Sequence, residues 1–374
     1  MRFSDVVGHE QLKTQLRSRV QSGMVPHASL FLGPEGSGNF ALAMAFAQYA
    51  CCDHRTETDA CGNCDVCRKF ETLQYADLHF TFPVFKRPEP AKGLSTEFNT
   101  EWRNFIEGEA YPTLSAWNER LDAEKKQLMI FVAEAGAIAQ RLALRSYEGR
   151  YIIQVIWLPE LMREDTANKL LKLIEEPPAQ TLFLMISESA ERILPTILSR
   201  TQLVKVPAID DESIAQAIAE KEGLDIEAAR DIAHFVEGDY ARARAIARDA
   251  DGQAAFLGKF TGWMRACYAR DAAQLVDFAG DIGAGSRELQ KRFLSYTLHF
   301  FRQCIVNNYG QHDLARFTRD ERAFANRFAP FINHKNVMAM SDLINEAIRD
   351  VDGNANGKLV FLDLSLKLHS ELRR

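Results

Sequence analysis

The sequence predicts an α/β fold: a parallel five-stranded sheet with helices on both faces, followed by an all-helical remainder. Three observations predict it. Five short apolar runs, separated by helical stretches, recur within the first 206 residues. The first run leads straight into a glycine-rich loop that opens a helix. Beyond Pro207 the pattern becomes helical only.

The runs are Ala28–Leu32, Leu78–Phe82, Ile152–Leu158, Leu182–Ile186 and Leu203–Val206. They are nearly continuous rather than alternating, as strands buried on both faces are. The clearest helix spans Asp165–Glu176. Its Ala167, Leu170, Leu171 and Ile174 recur at helical spacing and form one apolar face, and Pro177-Pro178 stops it. Ile214–Glu220, Ile226–Val236 and Ala241–Arg248 read as a small helical unit, and longer amphipathic helices follow from Phe256. The expected division is therefore 1–206, 207–250 and 251–374. An insertion at about 85–127 separates the second and third runs. It holds a loop, Lys86–Gly93, and two helices rich in Trp and Phe, Glu101–Gly108 and Leu114–Lys126. It reads as a surface elaboration offering Trp102, Phe105 or Trp117 to a partner.

At 374 residues the chain is long enough for two or three domains. Its 47% hydrophobic and 26% charged composition is that of a soluble protein, and its net charge of -6 excludes a globally basic nucleic-acid binder. No apolar run reaches the ~18 residues needed to span a membrane. The start, Met1-Arg2-Phe3-Ser4-Asp5, lacks signal-peptide character, so the expected location is cytoplasmic. There the seven cysteines are expected reduced or metal-bound.

The loop Gly33-Pro34-Glu35-Gly36-Ser37-Gly38-Asn39-Phe40 keeps the glycine scaffold of a P-loop. In a working loop, backbone N–H groups cradle phosphate, a lysine reaches the β/γ oxygens and a Ser or Thr hydroxyl holds Mg²⁺. Asn39 stands at the lysine position and Phe40 at the hydroxyl position, so both charge and metal ligand are missing. The usual acidic pair at the end of the third strand is missing too. Trp157 and Leu158 occupy those positions, and Glu160 lies two places further on. A chain that lacks both elements is not expected to hydrolyse or hold ATP.

Cys52, Cys61, Cys64 and Cys67 are spaced C-x8-C-x2-C-x2-C, which suits a structural tetrahedral Zn²⁺ site. Either Cys51 or Cys52 supplies the first ligand. Cys267 and Cys304 are isolated and read as core residues. Ser199-Arg200-Thr201 follows an apolar helical turn and precedes the fifth run. On spacing alone Arg200 reads as a solvated side chain with a local ion pair. The rival reading presents it to a neighbour, where an arginine stabilises charge on a transferring phosphoryl group.

Taken together, several motifs resemble the bacterial DNA polymerase III clamp-loader subunits, in particular the delta-prime kind. They are Phe3-Ser4-Asp5-Val6-Val7-Gly8, Pro26-His27-Ala28-x-Leu30-Phe31-x-Gly33 and the four-cysteine module. Ala167-Asn168-Lys169-Leu170-Leu171-Lys172-Leu173-Ile174-Glu175-Glu176-Pro177-Pro178 and Leu194-Pro195-Thr196-Ile197-x-Ser199-Arg200 complete the set. The resemblance implies an AAA+ module with a small helical lid and an all-α C-terminal collar that oligomerises. It implies a component of the DNA polymerase III holoenzyme, a DNA-directed DNA polymerase, that loads the sliding clamp onto primed DNA. The implied partners are gamma/tau motor subunits and a delta subunit in a hetero-pentamer. It implies that Ser199 and Arg200 form the element that points an arginine finger into a neighbour's ATP site. Two positions depart from, or are idle in, the pattern: Ala241 stands where the lid's sensor arginine is expected, with Arg242 and Arg244 close enough to shift that register, and Ser187, at the γ-phosphate sensor position, has no nucleotide to sense. The competing expectations are an active motor-type ATPase with a variant loop and a zinc-dependent nucleic-acid-binding protein.

Overall fold

The computed structural model describes residues 1–373 apart from 89, 124–125, 145, 149, 249, 311–314 and 316. The chain folds as two compact units. One comprises Met1–Ala217 with Val236–Ala243, the other Ile218–Phe235 with Arg244–Arg374.

The first unit carries α1 (Glu10–Gln21), β1 (Ala28–Leu32), α2 (Asn39–Cys51), α3 (Asp65–Glu71), β2 (Leu78–Thr81), α4 (Asn99–Ile106), α5 (Leu114–Arg120) and α6 (Ala133–Leu142). It continues with β3 (Ile152–Trp157), α7 (Glu164–Glu175), β4 (Thr181–Ser187), α8 (Pro195–Leu198) and β5 (Gln202–Lys205). The five strands form one parallel sheet, as the apolar runs predict, and their order is β2-β3-β4-β1-β5. β3 and β4 are buried along their whole length, which their unbroken apolar sequence requires. β5 lies at an edge with three of its four residues exposed, and starts one residue earlier than its apolar run.

Both faces of the sheet are covered. On one, Ala167, Leu170 and Ile174 of α7 join Ile138 of α6 and the strand residues Leu30, Ile156 and Phe183. α2 is buried at every position. A helix apolar all round can only sit inside the protein.

The insertion differs from its expectation. Val84 and Met129 pair backbone to backbone and close its base. Trp102 and Trp117 are buried inside it rather than displayed. Trp102 stacks on Phe82 at 4.2 Å and 12° and meets Trp157 at 5.2 Å. Trp117 donates its Nε1–H to the Pro83 carbonyl at 2.8 Å. Phe105 lies between Trp117 and Trp157. The insertion is thus core, because the aromatic residues bury more apolar surface against Phe82 and Trp157 than exposure would allow. The helix expected over Leu114–Lys126 ends at Arg120, and its positions 124–125 lie outside the described residues.

Past β5 come α9 (Asp211–Glu222), α10 (Ile226–Val236) and α11 (Tyr240–Arg248), shared between the two units. The second unit continues through α12 (Ala250–Ala269), α13 (Ala272–Gly283), α14 (Arg287–Asn308), α15 (Arg319–Phe328), α16 (Val337–Asp352) and α17 (Gly357–Glu371). Its core is aromatic, with Phe260, Trp263, Phe293, Phe300 and Phe361 buried together. Cys267 and Cys304 are fully buried there. Among the described residues no helix is long and apolar enough to cross a membrane.

Candidate functional site: a filled glycine loop and a four-thiol cluster

β1 lies between β4 and β5, so the loop that follows it leaves the sheet where strand order reverses. That is the place where open α/β sheets bind ligands. Gly33 N–H donates to the Ser187 carbonyl at 3.1 Å, and Val206 N–H donates to the Leu32 carbonyl at 2.7 Å. These bonds fix the loop to the ends of both neighbouring strands.

Asn39 does structural work at the lysine position. Its Nδ2 donates to the carbonyls of Gly33 at 3.2 Å and Ser187 at 3.3 Å, and its Oδ1 accepts from the Phe40 N–H at 2.8 Å. Phe40 is buried edge-on to Trp102, with ring centroids 6.3 Å apart. Trp157, at an expected acidic position, joins the same aromatic cluster. Leu158 is buried in the left-handed region at φ 54°. Apolar side chains occupy the positions that a metal-binding hydroxyl and carboxylates hold in a working loop.

The outer side of the loop is filled as well, by residues that sequence reasoning did not single out. Gly36 adopts φ 71°, and a Cβ there would sit 1.8 Å from Asp239 Oδ1. Tyr240 N–H donates to the Gly36 carbonyl at 3.1 Å. Gly38 adopts φ 87°, and a Cβ there would sit 3.0 Å from the Tyr111 ring. Tyr111 comes from the insertion. Its hydroxyl accepts from the Val7 N–H at 2.8 Å, and its ring meets Tyr240 at 4.7 Å. His9 contacts the Ser37 carbonyl through Nε2 at 2.7 Å.

The surroundings are also acidic. Burial pushes the Glu188 carboxyl up to about 8, reinforced by the neighbouring carboxylates Glu35, Glu160 and Asp239. Burial raises Asp239 above its usual range as well. Glu188 N–H donates to Glu160 Oε1 at 2.8 Å. The acidic groups Glu35, Glu160, Glu188 and Asp239 gather beside the loop together with Arg192 and Arg242, and Asn39 brings no charge of its own.

Ser187 ends β4 and its carbonyl serves the loop, while its hydroxyl accepts from Ser189 N–H at 3.2 Å. Ala241 lies in α11, just beyond Asp239, whose Oδ1 accepts from the Arg242 N–H at 2.9 Å.

Arg200 is only partly exposed. Its Nε donates to Glu175 of α7, and its Nη1 donates to the Thr196 carbonyl at 3.0 Å and to Ser199 Oγ at 3.2 Å. The helix ending in Glu-Glu-Pro-Pro and the Ser-Arg turn are therefore joined by an ion pair. Ser199 itself is exposed.

The four sulfurs of Cys52, Cys61, Cys64 and Cys67 all lie within 4.8 Å of one another, so the cluster can hold a metal ion. Three of the separations are 3.6, 3.9 and 3.9 Å. A tetrahedron of thiolates about 2.3 Å from a central zinc has edges of about 3.8 Å, so the cage fits that ion. Backbone N–H groups of Cys61, Cys64 and Cys67 donate to the sulfurs of Cys52, Cys61 and Cys64. Cys51 is buried outside the cage, and burial pushes its thiol up to about 12. Cys52 is the first of the four. The cage ties the end of α2 to the start of α3.

Fold and site together define a P-loop-type α/β protein whose loop has lost its lysine and metal ligand. A family model described as DNA polymerase III, delta subunit, matches residues 8–210, and the chain belongs to that family. It is 29% identical over 199 residues to DNA polymerase III subunit delta' of Pseudomonas aeruginosa, covering 53% of this chain and 48% of that protein. It is 27% identical over 212 residues to DNA polymerase III subunit tau of Salmonella typhimurium, covering 57% of this chain and 26% of that protein. The chain thus spans about a quarter of the tau relative and half of the delta' relative. A solved DNA polymerase III gamma subunit-related protein of Thermotoga maritima aligns over 98% of this chain and 100% of its own, with TM-score 0.42 and 16% identity.

Proposed function

We propose that this chain is a non-hydrolysing, delta-prime-type subunit of the DNA polymerase III clamp loader. One observation carries the reading. The positions of lysine, hydroxyl and carboxylates around the glycine loop hold Asn39, Phe40 and Trp157, and Tyr111 and Asp239 press on the loop itself. Side chains that press on the loop from both sides, and the missing lysine and metal ligand, argue against binding of Mg-ATP.

In this reading residues 207–250 are the lid and 251–374 the collar that oligomerises. The partners are gamma/tau and delta subunits in a hetero-pentameric ring, acting on the sliding clamp and primed DNA. Arg200, carried by the Ser199 turn, acts in trans on a neighbouring subunit's ATP. Glu175 holds its guanidinium ready until a phosphate competes for it. Zn²⁺ occupies the four-thiol cage, where it supplies a structural cross-link, and Cys52, Cys61, Cys64 and Cys67 hold it.

Calorimetric titration of the purified chain with Mg-ATP and ADP, into the millimolar range, tests the reading. No heat of binding is expected. Micromolar binding would overturn it and restore the variant-ATPase alternative.

A further inference from the structure

The second unit carries a groove unrelated to the glycine loop. Between α12, α15 and the end of α17 lies a cavity of about 300 Å³. Met264, Phe328 and Leu372 form its buried floor. Tyr268 and Phe331 stand exposed at its wall, with rings 5.1 Å apart and nearly perpendicular. Large aromatic residues exposed side by side mark interaction surfaces.

The rim is cationic. Arg265 and Arg327 line the cavity, and neither meets a carboxylate among the described residues; Arg327 only turns its Nε back to the Ala323 carbonyl of its own helix. Arg373 lies over the Tyr268 ring at 5.6 Å and donates to the Tyr268 carbonyl at 3.2 Å. Several arginines elsewhere in the chain pair with acids, as Arg141 does with Glu134, Arg163 with Asp165 and Arg230 with Glu227. In a chain with 51 acidic and 45 basic residues, guanidinium groups with no acid beside an apolar floor are a local reversal of charge.

We propose that this groove docks an acidic peptide segment of a partner protein, one that places a large apolar side chain in the cavity and flanking carboxylates on Arg265 and Arg327. The composition suits that occupant. Arg, Tyr and Phe around an apolar pocket are the residues that concentrate binding energy at interfaces. Guanidinium forks match carboxylates two bonds at a time. A nucleic-acid strand fits less well, since backbone tracking needs a longer basic stripe than this rim offers.

The test is fluorescence anisotropy on the full chain with a fluorescein-labelled peptide whose core is Glu-Asp-Leu-Phe-Asp. Micromolar binding is expected, weakening as salt is raised. Control peptides with Lys for the acids, or Ala for Leu-Phe, should bind at least tenfold more weakly, a loss of about 1.4 kcal/mol. Arg265→Ala and Arg327→Ala should each cost about tenfold, with far-UV circular dichroism unchanged because both side chains are exposed. Phe331→Ala should act in the same direction. Absence of binding, equal binding of the Lys peptide, or affinity indifferent to the arginines would overturn the proposal. So would self-association of the chain in sedimentation that Arg265→Glu abolishes, since a second copy would then be the occupant.

Discussion

Arg200 and Glu175 lie 25 residues apart, and the folded chain brings them into an ion pair on a partly exposed edge. Exposed pairs contribute at most about 1 kcal/mol to stability. Arg200→Ala should therefore leave the melting of the isolated chain nearly unchanged. On the proposed reading, the same substitution should lower the DNA-stimulated ATPase of a reconstituted clamp loader at least tenfold, given the ~10³–10⁵ attributed to such arginines. Unaltered turnover would remove the finger assignment. Glu188 supports a different prediction. Its carboxyl is raised to about 8, so between its ordinary value near 4.5 and about 8 the folded state holds a proton that the unfolded state has released. The group's contribution to stability therefore declines as pH rises through that window. Glu188→Gln removes this dependence and should stabilise the chain at pH 8 relative to pH 5, by on the order of 2 kcal/mol, in urea titrations at the two pH values. The loss of lysine and hydroxyl at Asn39 and Phe40 was legible in the sequence because a P-loop is contiguous. Tyr111 and Asp239 were not legible. They reach the loop from an insertion and from the start of α11, and no local pattern marks such long-range contacts.

At the level of elements, the strands and α7 could be read to within one or two residues because periodicity reports burial directly. The insertion could not, because aromatic residues on short helices look the same whether they face solvent or an interior. What decides the matter is tertiary: Phe82 and Trp157 give Trp102 a surface to cover. Polar groups anchor the same segment. Glu134 of α6 is buried, accepts from the Ser95 N–H at 2.9 Å and the Thr81 hydroxyl at 3.0 Å, and pairs with Arg141 at 2.7 Å. Trp102→Ala leaves a cavity in a close-packed cluster and should cost about 3–5 kcal/mol. Glu134→Ala leaves Arg141 without its buried partner and should cost about as much. Urea denaturation followed by tryptophan fluorescence measures both. Losses under about 1 kcal/mol would mean that the insertion is the surface appendage its sequence suggested.

At the scale of the whole molecule, the two compact units carry different reporters. Trp102, Trp117 and Trp157 lie in the first and Trp263 in the second, where its Nε1–H donates to Ser365 Oγ at 2.7 Å. The thiol cage belongs to the first unit, and its ligands join α2 to α3. Metal binding to a site that exists only in the folded state is folding free energy for the part that contains it. If zinc fills the cage, its removal should destabilise the first unit and spare the second. Trp263→Phe gives a chain whose fluorescence reports the first unit alone, and a variant keeping only Trp263 reports the second. With a strong chelator present, the first reporter should melt about 5–10 °C lower, as a loss of about 2–3 kcal/mol would produce in a unit of this size, while the second should stay in place. Cys61→Ser should reproduce the shift without chelator and make further chelation ineffective. A chelator that moves both reporters equally would show that the cage stabilises the whole chain as one cooperative body. One that moves neither would show that the four thiols fold the segment without a metal.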